Sequence, residues 1–400
     1  MTWLDDLLQA HRELESPYLF WKWAGLTSIA AVVQDKVYLD KFRYQLYPSI
    51  YAMFCADSGL KKGPPVALAR KLVSKAIGDK SIIGGRSSIQ GILKFMGTSE
   101  SQPGGKIFSP SNIFICWSEL TSAIVSDPVA TDILTDLYDR HYNTEQWRSL
   151  LKMETFAIKA PTVTMLTATN DAHINGFLAS KDLKGGFLAR TFIIYESKRQ
   201  TINSLMFPPE DNFDIDKSVC YLKELSKLSG PFEMSLQDRF FFKDWYENFT
   251  HDRDIQEVKD STGTLNRFDD SILKVAMLIS LAHAPELVIT RSALEEAIIT
   301  CEKLVGNARR TSMQKGENAF AEQKSIFITE LINRDGNMIT RQMLNKKYYL
   351  LASAEEWDLI ARQLEIAGII RIETMSNTVI FVMPEKVAGE WKKHLEGKLR

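Results

Sequence analysis

The chain lacks a charge of one sign. Its 400 residues carry 49 lysines and arginines against 50 aspartates and glutamates, a formal net charge of −1 at pH 7. No overall field draws it to nucleic acid or to a membrane surface, although a local groove or a ring of subunits can still concentrate charge. Cysteine is scarce as well. Cys55, Cys116, Cys220 and Cys301 are far apart, with no CxxC pair and no His/Cys spacing that suits zinc. Cys55 and Cys116 sit in apolar runs and read as small core residues, which fits a reducing compartment. No apolar run approaches the ~20 residues that span a bilayer. The opening "MTWLDDLLQAHRELESP" is acidic and amphipathic, without the basic n-region of a signal peptide. The expectation is a soluble cytoplasmic protein with no membrane partner.

What is present is an apolar content of 45% in a chain long enough for two or three domains. Residues 1 to about 45 have helical spacing, in "WLDDLLQAHREL" and in "PYLFWKWAGLTSIAAVVQ". Strand-like and helix-like runs then alternate. "SIYAMFCA", "SIIGG", "NIFICWSEL", "APTVTMLTATN" and "GGFLARTFIIYE" read as strands; "VALARKLVSKAI", "SSIQGILKFMG" and "PVATDILTDLYDR" read as helices, the second capped by Ser87 or Ser88. Such alternation predicts an α/β fold with a mainly parallel sheet covered on both faces. After the Pro-containing crossing segment "NSLMFPPEDNFD", residues 215 to 310 are almost all helix-patterned. Residues 320–400 have a winged-helix cadence: three helices, then the hairpin "RIETMSNTVIFVM" turning at Ser376-Asn377. The alternative there is a generic α+β end-cap. The third helix begins "SAEEWD", acidic where a DNA-reading helix wants cations or amides, so packing or protein contact is the favoured role.

The chemistry concentrates at strand ends. "IYAMFCADSGLKKGPPVALARKLV" places a turn between a buried strand and a helix, where phosphate-binding loops sit. Against GxxxxGK[ST] it reads Ala56-Asp57-Ser58-Gly59-Leu60-Lys61-Lys62-Gly63. Lys62 stands in the lysine's register, and Gly63 replaces the hydroxyl that would hold Mg²⁺. A plain strand, turn and helix with two solubilising lysines fits the same letters. In "FICWSEL", Glu119 takes the place of a water-activating carboxylate, and Ser118 takes the place of the metal-orienting acid. "TMLTATN" ends a strand at Asn170, a sensor position, and "GGFLARTF" begins one at Arg190, where a cation can neutralise transition-state charge. Each of the four is more often structural when found alone. "YDRHYNTEQWRSLLK" mixes cations and rings in the way single strands favour, through Arg140, His141, Tyr142, Trp147, Arg148 and Lys152; the alternative is a packed helical excursion. His141 and His173 lack a partnered nucleophile and read as structural.

In that order and spacing, these motifs resemble the RecA-like P-loop module of phage, prophage and plasmid replication proteins, a domain of unknown function often fused to primase-polymerase domains. The matching stretches also include "GGRSSIQGILKFM" and "ILKVAMLISLA…ITRSALEEAI", so the resemblance covers roughly residues 15–310. Together with the helical start and the winged-helix cadence read above, it gives an N-terminal helical segment over 1–45, a RecA-like core over 46–200, a helical segment packed on the core over 201–315 and a winged-helix-like domain over 320–400. It further implies an ATP- and Mg²⁺-dependent DNA-replication helicase in the host cytoplasm, a homo-oligomer such as a hexamer, with single-stranded DNA and other replication proteins as partners. Residues Ser58 to Gly63 would hold ATP, with Lys62 on the phosphates. Glu119 would be catalytic, Asn170 the sensor, Arg190 the trans-acting arginine, and Ser118 the metal position. Gly63 and Ser118 depart from the pattern, and both remove an oxygen from the metal's surroundings. The alternative is therefore a weakly active or inactive homologue serving as organiser, loader or structural subunit. A metabolic P-loop kinase is disfavoured, since nothing resembles a small-substrate lid.

Overall fold

The computed structural model describes residues 2–85, 87–99, 111–120, 128–139, 146–151, 154–170, 186–203, 213–255, 263–313, 321–348, 354–375 and 378–397. Contacts divide the chain into two units, Met1–Ser312 and Met313–Arg400. The first unit thus takes in the N-terminal helices, the strand-rich stretch and the helical stretch together.

It opens with α1 (Trp3–Ala10) and α2 (Tyr18–Val33). Thr2 and Asp5 close a capping box on α1: the Thr2 hydroxyl accepts the Asp5 N–H at 3.1 Å, and the Asp5 carboxylate accepts the Thr2 N–H at 2.9 Å. Helix α2 is apolar around its whole circumference and is therefore driven inside, with Phe20 to Val33 buried. Its single charge, Lys22, reaches Glu296 at 2.8 Å and Thr300 at 2.9 Å. Residues 37–46 correct the expectation of a helical 1–45: β1 (Val37–Lys41) and β2 (Tyr44–Leu46) form an antiparallel hairpin. Val37 and Leu39 are buried while Asp40 is exposed. That alternation of two is too short to stand out beside α2.

Next come β3 (Tyr51–Cys55), α3 (Gly63–Ile77), β4 (Ile82–Ile83), α4 (Ile89–Met96), β5 (Thr98–Ser99), β6 (Asn112–Trp117) and α5 (Pro128–Tyr138). An antiparallel pair, β7 (Gln146–Leu151) and β8 (Glu154–Lys159), precedes β9 (Thr162–Thr169) and β10 (Thr191–Tyr195). Five strands form one parallel sheet in the order β10-β3-β9-β6-β4. Alternate residues serve opposite faces. Ala52, Phe54, Phe114, Leu166 and Phe192 join one core cluster with α2 and α3; Tyr51, Met53, Ile115, Met165 and Ile193 join another with α4 and α5. The expected α/β sheet with both faces covered is present. Ser88 is the cap of α4, accepting the Gly91 N–H at 3.2 Å.

The unit continues with α6 (Ile215–Leu225), β11 (Gly230–Pro231), β12 (Glu233–Met234), α7 (Leu236–Ile255), α8 (Phe268–His283), β13 (Val288–Ile289) and α9 (Arg291–Met313). Helix α8 carries a buried lysine, Lys274, whose ammonium donates to the Ser49 carbonyl at 3.0 Å and lies 3.8 Å from the centre of the Tyr138 ring.

The second unit contains α10 (Ala321–Ile332), β14 (Met338–Thr340), α11 (Arg341–Tyr348), α12 (Ala354–Ile366), β15 (Arg371–Met375), β16 (Thr378–Val382) and α13 (Glu385–Gly397). Its strands pair antiparallel in the order β14-β16-β15. Phe327, Trp357 and Phe381 form its centre, meeting edge to face. Strand β14 and helix α13 add to the three helices and hairpin read from sequence, and Ser376-Asn377 lies outside the described residues. Glu355 and Glu356 are exposed on the first turn of α12.

Candidate functional site

All five strands run the same way, so their C-terminal ends share one edge, where ligands of open parallel sheets collect. The turn after β3 lies there. Asn170 follows β9 in the adjacent position, and Ser118 and Glu119 follow β6 one strand further on. Two strand spacings, about 10 Å, separate the turn from the acidic end. The register aligns them: Cys55 pairs with Thr169, and Trp117 with Thr167. Ser118 and Glu119 are exposed, and Asn170 is half-buried.

The turn itself has a defined conformation. Gly59 adopts φ +90° and Lys61 φ +53°, two left-handed positions that reverse the chain before α3. Glycine does this freely; lysine does so at a cost. Lys61 is held by the buried Ser16, whose hydroxyl donates to the Lys61 carbonyl at 2.7 Å. The Lys62 ammonium bends back on the strand end, donating to the carbonyls of Ala56 at 2.6 Å and Asp57 at 2.9 Å. The backbone N–H groups of Ser58, Gly59, Lys61 and Gly63 take no acceptor among the described residues, whereas that of Leu60 turns back to Asp57. These N–H donors fit an anion, and the Lys62 ammonium reaches one only by giving up carbonyls of the strand end. Pro64 and Pro65 limit the fit: they start α3 well but remove two of the N–H groups that a helix N-terminus offers to phosphate. Both prolines stand in plain view in the sequence.

One flank of α3 faces a cleft of about 540 Å³, lined by Gly63, Arg70, Lys71, Ser74, Cys116 and Ser118 among others. Its floor is fixed by the Cys116 thiol, which donates to the Val66 carbonyl at 3.4 Å and is pushed up to about 12 by burial. On the other side of the turn, Glu196 follows β10 with its N–H donating to the Cys55 carbonyl at 3.0 Å, and burial raises its carboxyl pKa.

The donors do not fit Mg²⁺. Position 63 has no side-chain oxygen and position 118 offers a neutral hydroxyl, where the ion wants carboxylates beside substrate phosphates. Among the described residues no three His, Cys, Asp or Glu side chains converge as a metal would need.

Arg190 lies elsewhere. It precedes β10 at the N-terminal edge of the sheet, beside Tyr51 rather than beside the turn. Its guanidinium is bound to the Asp139 carboxylate and to the Gly186 carbonyl, and its side chain is 12% exposed. Arg267 shares Asp139 at 3.1 Å. Within the segment of mixed cations and rings, the described residues 146–151 form a strand rather than a helix. There Trp147 is half-buried against the second core cluster and Arg148 is exposed. Arg140, His141, Tyr142, Lys152 and His173 lie outside the described residues.

Sequence reasoning missed Ser16, Arg70 and Glu196, because each acquires its place only through pairing of distant segments. No family model matches this chain, and no curated protein matches it. No helix among the described residues is long and apolar enough to cross a membrane.

Proposed function

We propose that the Met1–Ser312 unit is a RecA-like nucleotide-binding core that takes the phosphates of ATP on the turn Ser58, Gly59, Leu60, Lys61, Lys62 and Gly63. The observation that carries this reading is the strand order. Strand β9 lies between the lysine-bearing strand and the acidic strand, so a polar sensor residue, Asn170, falls between Lys62 and Glu119 on one edge. A generic strand, turn and helix has no reason to gather all three. The core belongs to an oligomeric, ATP-dependent replication protein of helicase type that acts on single-stranded DNA, with the exposed Arg148 on β7 as a contact. The second unit is a winged-helix domain used for protein contact, in keeping with Glu355 and Glu356 at the start of α12. A trans-acting role for Arg190 requires its release from Asp139.

A second reading is favoured by Gly63, Ser118 and the Pro64-Pro65 pair: a core that holds nucleotide and turns it over little, acting as organiser or loader. ATP turnover with and without single-stranded DNA, with native mass measured in parallel, separates the two. DNA-stimulated turnover in an oligomer, lost in Glu119→Gln, supports the helicase reading. Nucleotide binding without turnover supports the second. A protein that binds no nucleotide contradicts both.

A further inference from the structure

Two positions that would furnish oxygens for a divalent cation, Gly63 and Ser118, line the same cleft as two unpaired cations. Residues Gly63, Ala67, Arg70, Lys71 and Ser74 follow the i, i+4, i+7, i+8, i+11 spacing that puts them on one flank of α3. The side chains of Arg70 and Lys71 have no hydrogen-bond or ion-pair partner among the described residues. The Arg70 guanidinium lies against Gly84, at the C-terminal end of β4, where the missing Cβ leaves room for it. Gly84 follows the pair Ile83 and Ile115, which puts it beside Cys116 and two residues short of Ser118. Asp79 lines the cleft too, near the C-terminal end of α3 and away from Gly63.

A triphosphate on the Lys62 turn needs more positive charge than one ammonium supplies. Arg70 and Lys71 together carry the charge of one divalent ion, and a guanidinium fork suits phosphate oxygens. We propose that this cleft binds the terminal phosphates of a polyphosphate ligand without a metal ion, with Arg70 as the main counter-charge in place of Mg²⁺. The inference rests on the nucleotide reading above and deepens it: the ligand is bound free of metal.

The test uses the full chain, with ATP and inorganic tripolyphosphate as probes, each titrated in excess Mg²⁺ and in EDTA. The expected result for the unsubstituted protein is an affinity in EDTA within about threefold of that in Mg²⁺. Arg70→Ala should weaken both probes at least tenfold in EDTA, and Arg70→Lys should restore part of the loss. Arg70 is exposed and unpartnered, so an unchanged melting curve is expected and identifies the loss as local. Binding that appears only with Mg²⁺, or an Arg70→Ala protein that binds as before, overturns this inference and leaves the nucleotide reading standing. Failure of the unsubstituted protein to bind either probe in either condition overturns both.

Discussion

The Ser16 hydroxyl donates to the Lys61 carbonyl at 2.7 Å, tying the connection between α1 and α2 to a turn 45 positions away. Lys61 has φ +53° at that point, so the bond stabilises a conformation that lysine otherwise avoids. Ser16→Ala removes a buried donor and should cost about 1 kcal/mol of stability. Because the loss falls on the turn, ATP affinity should decline more than the melting temperature suggests, and Ser16→Thr should recover it. Paired calorimetric titration and thermal melting read both. A stability loss with unchanged affinity would show that Ser16 supports the fold alone.

Lys274 gives the first unit a dependence on alkaline pH. Burial pushes its ammonium down to about 8; Asp139 and Asp270 oppose the shift, and Arg267 and Arg190 assist it. In the unfolded chain its pKa is about 10.4. Between those values the unfolded state holds more protons, so this group's contribution to stability is complete above about pH 10.4 and is lost as pH falls through 8. The stability of the unsubstituted protein relative to Lys274→Met should therefore rise on the order of 3 kcal/mol from pH 7.5 to 10.5. Denaturant unfolding at several pH values measures it, and a flat difference contradicts the assigned shift.

Glu330 has the same sign in the second unit, at acidic pH. Burial works to raise its pKa, but hydrogen bonds from Lys347, Tyr348 and Arg334 hold it down to about 2. An unperturbed glutamate titrates near ~4.3. The stabilisation is thus complete above that value and is lost as pH falls toward 2. Glu330→Gln should cost on the order of 2 kcal/mol at pH 7 and should remove the steepest part of the acid transition. Near-ultraviolet dichroism of the Trp357 and Phe327 cluster, followed from pH 6 to 2, reports it.

The β7 strand supplies the check on DNA. Arg148→Ala should lower single-strand affinity and reduce its salt slope by roughly 0.7 if one phosphate contact is lost. Affinity and slope that stay as they were would remove Arg148 from the interface.

Much of the core was legible because buried parallel strands leave continuous apolar runs, as in "YAMFC" and "TVTMLTAT". Their ends, and hence Lys62, Ser118, Glu119 and Asn170, could be read with them. Their order could not, since register depends on pairing between segments rather than on local pattern. Short hairpins were harder. Residues 37–46 and 146–159 alternate over too few positions to compete with neighbouring helical or polar signals. The site's other determinants are long-range. The bond from Ser16 to Lys61, the seat of Arg70 on Gly84 and the capture of Arg190 by Asp139 leave no trace in any window of sequence.

The central claim is that the turn before α3 holds phosphate through Lys62. Calorimetric titration of ATP into the full chain and into Lys62→Ala tests it directly. The prediction is saturable binding that falls ~10- to 100-fold in the variant, the loss of one or two charge-assisted hydrogen bonds. ATP that binds both proteins equally, or binds neither, contradicts it.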